Sequence, residues 1–430
     1  MTLDRRTFLQ GLGAGAAGVL MGGPTARAAL ASQPAVPPLA DFAAVSPEVF
    51  WRSVRAQFPL LDDPVYLNCG GLGPASQRVL DAVFSTMLKL QEHSETGHAL
   101  IQPAREIVAP FVGAQPRELC FTRNATEGNA LIAAGLRLRD GDEVIFESHA
   151  HPGGSFPWFN QTKERGVRVK LFEPSPDSAE ENLARIRALV TPRTKVIQVS
   201  HITCTDGLVM PVRAIAEFAA SRGIWCHIDG AQAVGMIPVN LAALGCDSYA
   251  FCGHKWLGGP HESGAVFIRH SRLEAVAVTG IGAHSGELPF LPGEFQYVDG
   301  AARHEYGTRN AGLILGLAEA VRFQQQIGVE RIAAYGRELA TFLHVELSKI
   351  SGVTVLTSAR PELRASMVTI AHPRASAGDF FTYLVKTHRL RCRPVTEQKL
   401  NAVRISTHVF NSAAECERVV AGVRAAMRDR

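Results

Sequence analysis

From about residue 65 to residue 268, short apolar runs alternate with stretches of amphipathic helical pattern, and this alternation constrains the fold most. VYLN precedes a helix predicted over residues 75–91, and ELCFTRN leads into ATEGNALIAAGL, a run of helix formers behind Asn124, a residue suited to cap it. DEVIFES, VRVKLFE, KVIQVSHI, IWCHID and SYAFCG read as strands, and AVFIR is expected to close an edge. Helical stretches such as residues 212–223 separate several of them. The expectation is an α/β fold: a mostly parallel sheet wrapped by helices, with ligands beyond the carboxyl ends of its strands.

The pattern changes near residue 310. One long helical stretch, 311–350, is followed by GVTVLT, SMVTIAH, a helix near 377–387, RLRCRPV, AVRISTHV and a final helix. Strands with fewer intervening helices predict a smaller α+β domain over 311–430 beside a large domain over 45–310, with residues 45–64 able to join either. A chain of 430 residues is long enough for both.

The N-terminus is a different kind of segment. Arg5-Arg6, then Phe8 and Leu9, precede a Gly/Ala-rich apolar stretch over 11–23, and Ala26-Arg27-Ala28 ends it in a small-x-small pattern. Residues 1–28 read as a twin-arginine export signal cut near Ala28, with 29–44 as a disordered leader. The apolar stretch is too short to span a bilayer, so no membrane is expected for the mature form. The expected partner is the twin-arginine export machinery, and the expected destination the periplasm or beyond. A net charge of +4 without long basic runs gives no reason to expect nucleic acid. The eight cysteines are scattered, with no CxxC and no metal-type spacing, so free thiols are expected and no metal site.

Four features fall at predicted strand ends. NATEGN puts Ala125 and Thr126 at a helix start, where free N–H groups and a hydroxyl suit a phosphate, or simply cap the helix. HIDGAQAVG ends an apolar run on Asp229, a carboxylate that fits a turn or a buried cation such as a protonated ring nitrogen. Gln232, three residues on, can donate to an oxygen on the same ring. FCGHKWLGG places His254-Lys255 after the next strand, where an amine held out of water is a nucleophile for a carbonyl. SHAHPGG offers His149 and His151 for stacking on a flat group. Phosphate cradle, stacking His, ring-nitrogen Asp and Schiff-base Lys, in that order, describe pyridoxal 5'-phosphate.

From about Tyr66 to the C-terminus the chain resembles the class-V aminotransferases, fold-type I enzymes that use pyridoxal phosphate and are built on a seven-stranded-type sheet. The resemblance rests on HIDGAQAVGMIPVNLAALGCDSYAFCGHKWLGGP, with YLNCGGLGPAS, NATEGN and VRISTHVFNS in the family's order. It implies that Lys255 carries the cofactor and moves protons, that Asp229 pairs with the ring nitrogen, and that Gln232 reaches the ring 3-oxygen. It further implies phosphate binding by Ala125 N–H, Thr126 and His254, with Cys252 beside them where the family has a small hydroxyl residue. His151 stacks on the ring, with His149 as the alternative. Arg404 takes the substrate carboxylate, with Asn68 and Cys204 lining the substrate side. EYGTRN resembles the loop whose threonine, here Thr308, reaches the partner subunit's phosphate, which implies a homodimer.

Within the family the chain is similar to isopenicillin N epimerases and to the periplasmic enzyme of pyoverdine maturation, with which it shares HPGG and a nearby Trp158. That implies a small amino-acid or peptide-like substrate and an epimerase-like reaction. Oxidative or decarboxylating tailoring, transamination, Cβ or C–S lysis, and binding without chemistry stay open. Epimerisation needs a second acid/base besides Lys255, for which His151, His149 and Cys204 are the candidates. PVTEQKLNAV, between Arg393 and Arg404, lacks the cysteine that desulfurases place there, so desulfuration is not expected.

Overall fold

The computed structural model describes residues 37–287 and 294–429. The export signal and the first half of the leader lie outside the described residues. Thirteen strands are present among them: β1 (Val65–Tyr66), β2 (Leu119–Thr122), β3 (Glu143–Glu147), β4 (Arg168–Phe172), β5 (Thr194–Ser200), β6 (Trp225–Asp229), β7 (Ser248–Cys252), β8 (Gly264–Ile268), β9 (Thr354–Val355), β10 (Met367–Ala371), β11 (Leu390–Arg391), β12 (Arg393–Val395) and β13 (Ala402–Ser406).

Seven form one sheet in the order β2-β8-β7-β6-β5-β3-β4. β3 to β7 run parallel, whereas β8 pairs antiparallel with both β2 and β7. AVFIR, expected at an edge, therefore lies inside the sheet, and the edges are β2 and β4. β7 and β6 are buried throughout and β5 from Val196 to Ser200, so their apolar runs need no polar alternation. Apolar side chains such as Phe121, Ile197, Tyr249 and Phe251 fill one core cluster, and Val144, Phe146, Trp158 and Val266 fill another.

The second sheet, β12-β13-β10-β9, is antiparallel and packs its own core of Leu339, Leu343, Val368, Ile405 and Val419. The helical stretch expected over 311–350 is two helices, Ala311–Ile327 and Val329–Ser348, broken at Gly328, whose φ of 95° a side chain would resist. RLRCRPV divides at Cys392 into β11 and β12, and β11 pairs in parallel with β1.

The N-terminal helix Pro47–Arg55 stacks Trp51 on Tyr335 of the Val329–Ser348 helix, with ring centroids 4.0 Å apart. The leader expected to run to residue 44 ends sooner. Ala40 N donates to Ser53 Oγ at 3.1 Å, Phe42 packs edge-on against Phe50, and Arg331 lies over Phe42 at 3.8 Å. A cation and two aromatic rings hold this stretch against the folded chain.

Candidate active site

The parallel strands end on one side of the large sheet, and there the chain leaves a cavity of about 270 Å³. Its lining includes Thr126, His151, Asp229, Gln232, His254, Lys255, Cys204 and Arg404, so the sequence motifs meet in one place.

Lys255 follows β7 in a turn that is locked from behind. Gly73 N donates to His254 O at 2.8 Å, and a Cβ on Gly73 would lie 1.8 Å from the Lys255 carbonyl oxygen. The GGLG turn can approach this closely only because residue 73 has no side chain. Lys255 Nζ faces the cavity with no hydrogen bond or ion pair among the described residues, while its charge, second to burial, pushes His254 down to about 4. His254 Nδ1 is buried without a partner.

Asp229 ends β6 and is almost fully buried. Its Oδ1 accepts from Ala231 N at 3.0 Å and its Oδ2 from Asn129 Nδ2 at 2.9 Å. Behind Asn129 the donors run in one direction. Trp225 Nε1 donates to Ser248 Oγ (2.9 Å), which donates to His227 Nδ1 (2.8 Å), and His227 Nε2 donates to Asn129 Oδ1 (2.9 Å). Burial pushes His227 down to about 4, so it is neutral and holds one proton to pass along this order. The Asn129 amide thus turns its N–H toward Asp229, and the carboxylate keeps acceptor capacity toward the cavity.

His151 caps the Pro152–Arg165 helix, its Nδ1 accepting from Gly153 N at 3.0 Å, so the proton of the neutral ring sits on Nε2. Burial, then Lys255, lower its pKa. His149, the alternative stacker, does not line the cavity. Its nitrogens meet Thr205 Oγ1 at 2.8 Å and Glu173 Oε1 at 3.0 Å, and the carboxylates of Asp206 and Glu173 outweigh burial to raise its pKa. It ties β3 to the loop over 203–206.

That loop is held by the small sheet through three successive carbonyls. Arg404 Nη1 donates to Cys204 O (2.5 Å), Thr369 Oγ1 to Thr205 O (2.7 Å) and Thr357 Oγ1 to Asp206 O (2.7 Å). The Cys204 thiol thereby borders the cavity beside Arg404, and burial pushes it up to about 11. Arg404 is 1 % exposed and has no carboxylate partner among the described residues; its Nη2 donates to Asn68 Oδ1 at 3.1 Å and its Nε is orphaned. Burial, then the neighbouring Arg393, pull it down to about 10. A cation buried so deeply without an acid is costly unless a ligand supplies one.

Two expectations need adjusting. Ala125 N–H is directed onto Cys252 Sγ at 3.4 Å rather than left free, so the donors at this helix start reduce to Thr126 and its backbone. Gln232 has Oε1 occupied by Trp256 Nε1 (2.7 Å) and one Nε2 hydrogen by Gly70 O (2.9 Å), which leaves a single N–H for a ring oxygen. Thr308, expected at a partner subunit's phosphate, lines a separate hollow of its own chain with Arg123, Tyr306 and Arg309.

The residues fit pyridoxal phosphate. A Cβ on Gly154 would approach Asp229 Oδ2 to 2.8 Å and one on Gly70 would approach Arg404 Nη2 to 2.9 Å, so both glycines keep the cavity wall open around charged groups. Orphaned His254 Nδ1 and the Thr126 hydroxyl suit the phosphate, Asp229 suits a cationic ring nitrogen, and Lys255 suits the aldehyde.

The family comparison agrees. The class-V aminotransferase model matches residues 77–419, and the chain belongs to that family, whose enzymes use pyridoxal phosphate. It is 30% identical over 387 residues to the isopenicillin N epimerase of Amycolatopsis lactamdurans, covering 86% of this chain and 96% of the relative. It is also 30% identical over 318 residues to a probable cysteine desulfurase of Methanothermobacter thermautotrophicus, covering 71% and 78%. The apo cysteine desulfurase of Thermococcus onnurineus superposes with a TM-score of 0.79 at 25% identity, covering 88% of this chain and 98% of that one.

Asn129, His227 and Arg393 were not singled out in the sequence. Asn129 lies one helical turn beyond Ala125, and His227 shares a strand face with Asp229, so period alone pointed to them. Arg393 comes into view only through strand register.

Proposed function

We propose that the chain removes and returns the proton at the α-carbon of an amino acid or amino-acyl group, in the manner of an epimerase. Bound pyridoxal phosphate supplies the electron sink that makes that proton removable. Lys255 is the base on one side, Arg404 anchors the α-carboxylate, and Asp229 holds a positive charge at the ring nitrogen. One observation favours Cys204 as the second proton carrier: its carbonyl is bonded to the guanidinium that would hold the carboxylate, and its side chain lines the cavity beside that guanidinium. A thiol pushed up to about 11 is protonated at neutral pH and suited to donate. His151, with Nδ1 occupied, suits stacking better.

Relatives include cysteine desulfurases as well as epimerases. Persulfide chemistry needs a thiolate at the cavity, and burial holds both cysteines that line it, Cys204 and Cys252, in the protonated form. That supports the epimerase-like reading over desulfuration. Export through the twin-arginine route, with residence in the periplasm or beyond, and homodimer formation belong to the same proposal. Exposed Phe84 and Leu88 on the Gln77–His93 helix support the dimer. The mass of the mature chain and light scattering test the two.

The decisive experiment incubates the holoenzyme with D- and L-amino acids and short peptides in deuterated water. Deuterium at Cα with the amine retained and the configuration inverted is expected, and Cys204→Ser lowers inversion at least about tenfold while Lys255-dependent absorbance persists. Dioxygen uptake or carbon dioxide release instead overturns the epimerase reading in favour of oxidative or decarboxylating tailoring.

A further inference from the structure

The register of the small sheet sets Arg393 directly opposite Arg404, on the same face of the antiparallel pair β12-β13. Side chains so paired start about 5 Å apart at Cβ, and like charges in that position repel. Both line the cavity. Among the described residues one carboxylate, Glu397, is paired with either guanidinium, and it meets Arg393 through Nη2. Arg393 Nη1 is buried with no partner. Glu397 sits on the turn over 396–401, where Gln398, Lys399 and Asn401 all take positive φ (52°, 59° and 47°), a conformation that side chains resist. Two facing cations, one half-satisfied, together with a strained turn carrying the one carboxylate paired with them among the described residues, describe a site waiting for anionic groups.

One substrate α-carboxylate satisfies Arg404 and leaves Arg393 Nη1 unmet. We propose that Arg393 is a specificity residue that receives a second acidic group of the substrate. The substrate class is then an amino dicarboxylic acid, or an amino-acyl unit bearing a carboxylate beyond its α-carbon. This inference rests on the reading of the cavity as an amino-acid site with Arg404 as its α-carboxylate anchor. Glu397 holds Arg393 extended until the ligand's carboxylate joins it.

The test titrates the holoenzyme at low ionic strength with L-2-aminoadipate and with L-norleucine, its neutral near-isostere, reading cofactor absorbance and thermal stability. The charged ligand is expected to bind at least about tenfold tighter, the effect of one charge-assisted hydrogen-bonded pair. Arg393→Gln brings the ratio close to one while norleucine affinity stays within about threefold, and Arg393→Lys restores part of the preference. Equal affinity in the wild type overturns the proposal, as does an Arg393→Gln variant that weakens both ligands alike, since Arg393 then shares the α-carboxylate. Glu397→Gln provides an independent arm: release of Arg393 strengthens the acidic preference, and an unchanged or reduced preference contradicts the assignment. A wild-type enzyme that responds to neither ligand sinks the amino-acid reading beneath this one, and the two failures are thereby distinguished.

Discussion

At the scale of single residues, the site depends on the direction of hydrogen bonds as much as on which groups are present. Asp229 is useful only if its carboxylate stays an acceptor aimed into the cavity, and Asn129 enforces that by giving it an N–H. The amide cannot turn over, because its oxygen already receives the His227 Nε2 proton. Asn129→Leu removes both bonds and leaves a buried carboxylate oxygen and a buried imidazole N–H unpaired. Such losses cost about 1–3 kcal/mol each. The expected result is a clear fall in thermal stability, together with faster loss of pyridoxal phosphate on dialysis. Unchanged cofactor retention would show that Asp229 is positioned without Asn129. Asn129→Asp distinguishes the roles further, since it keeps the volume but adds a charge against Asp229.

At the scale of elements, much was legible beforehand because the local signals agreed with one another. Asn124 does cap its helix, accepting from Glu127 N at 2.9 Å, and the apolar runs at 143–147, 194–200, 225–229 and 248–252 are strands with their functional residues just beyond or at their ends. What could not be read depends on pairing. β8 looks like any edge strand in sequence, and only its two antiparallel partners reveal that it lies inside. His149 and His151 are equivalent as letters. The structure separates them because both lie past the end of β3, where the chain turns: His149 meets Asp206 and Glu173, while His151 caps the next helix beside the cavity. The Arg393–Arg404 pair is likewise a product of register, joined across an intervening turn. Gly328 was visible as a letter, but a lone glycine does not announce that it will break a helix.

At the scale of the whole molecule, burial of neutral imidazoles sets how stability responds to acid. His201, His227, His254, His304 and His408 are all pushed down to about 4, with burial the main cause. The unfolded chain takes up these protons near the ordinary histidine value of 6.5 while the folded chain refuses them until about pH 4. Stability is therefore full above that value and is lost as pH falls through this window. Glu147, raised to about 7 by burial, and His149, raised by Asp206 and Glu173, act in the opposite sense, but they are two groups against five. The melting temperature is expected to drop steadily from pH 7 to pH 5, and a flat profile would mean that the imidazoles are not held neutral.

The account as a whole stands on Lys255 as the residue that carries the cofactor. Borohydride reduction of the purified holoenzyme, followed by digestion and mass spectrometry, tests this most directly. A phosphopyridoxyl group on the peptide containing Lys255, with none bound covalently in Lys255→Ala, is the predicted result. An unmodified Lys255, or a label on another lysine, would contradict the account.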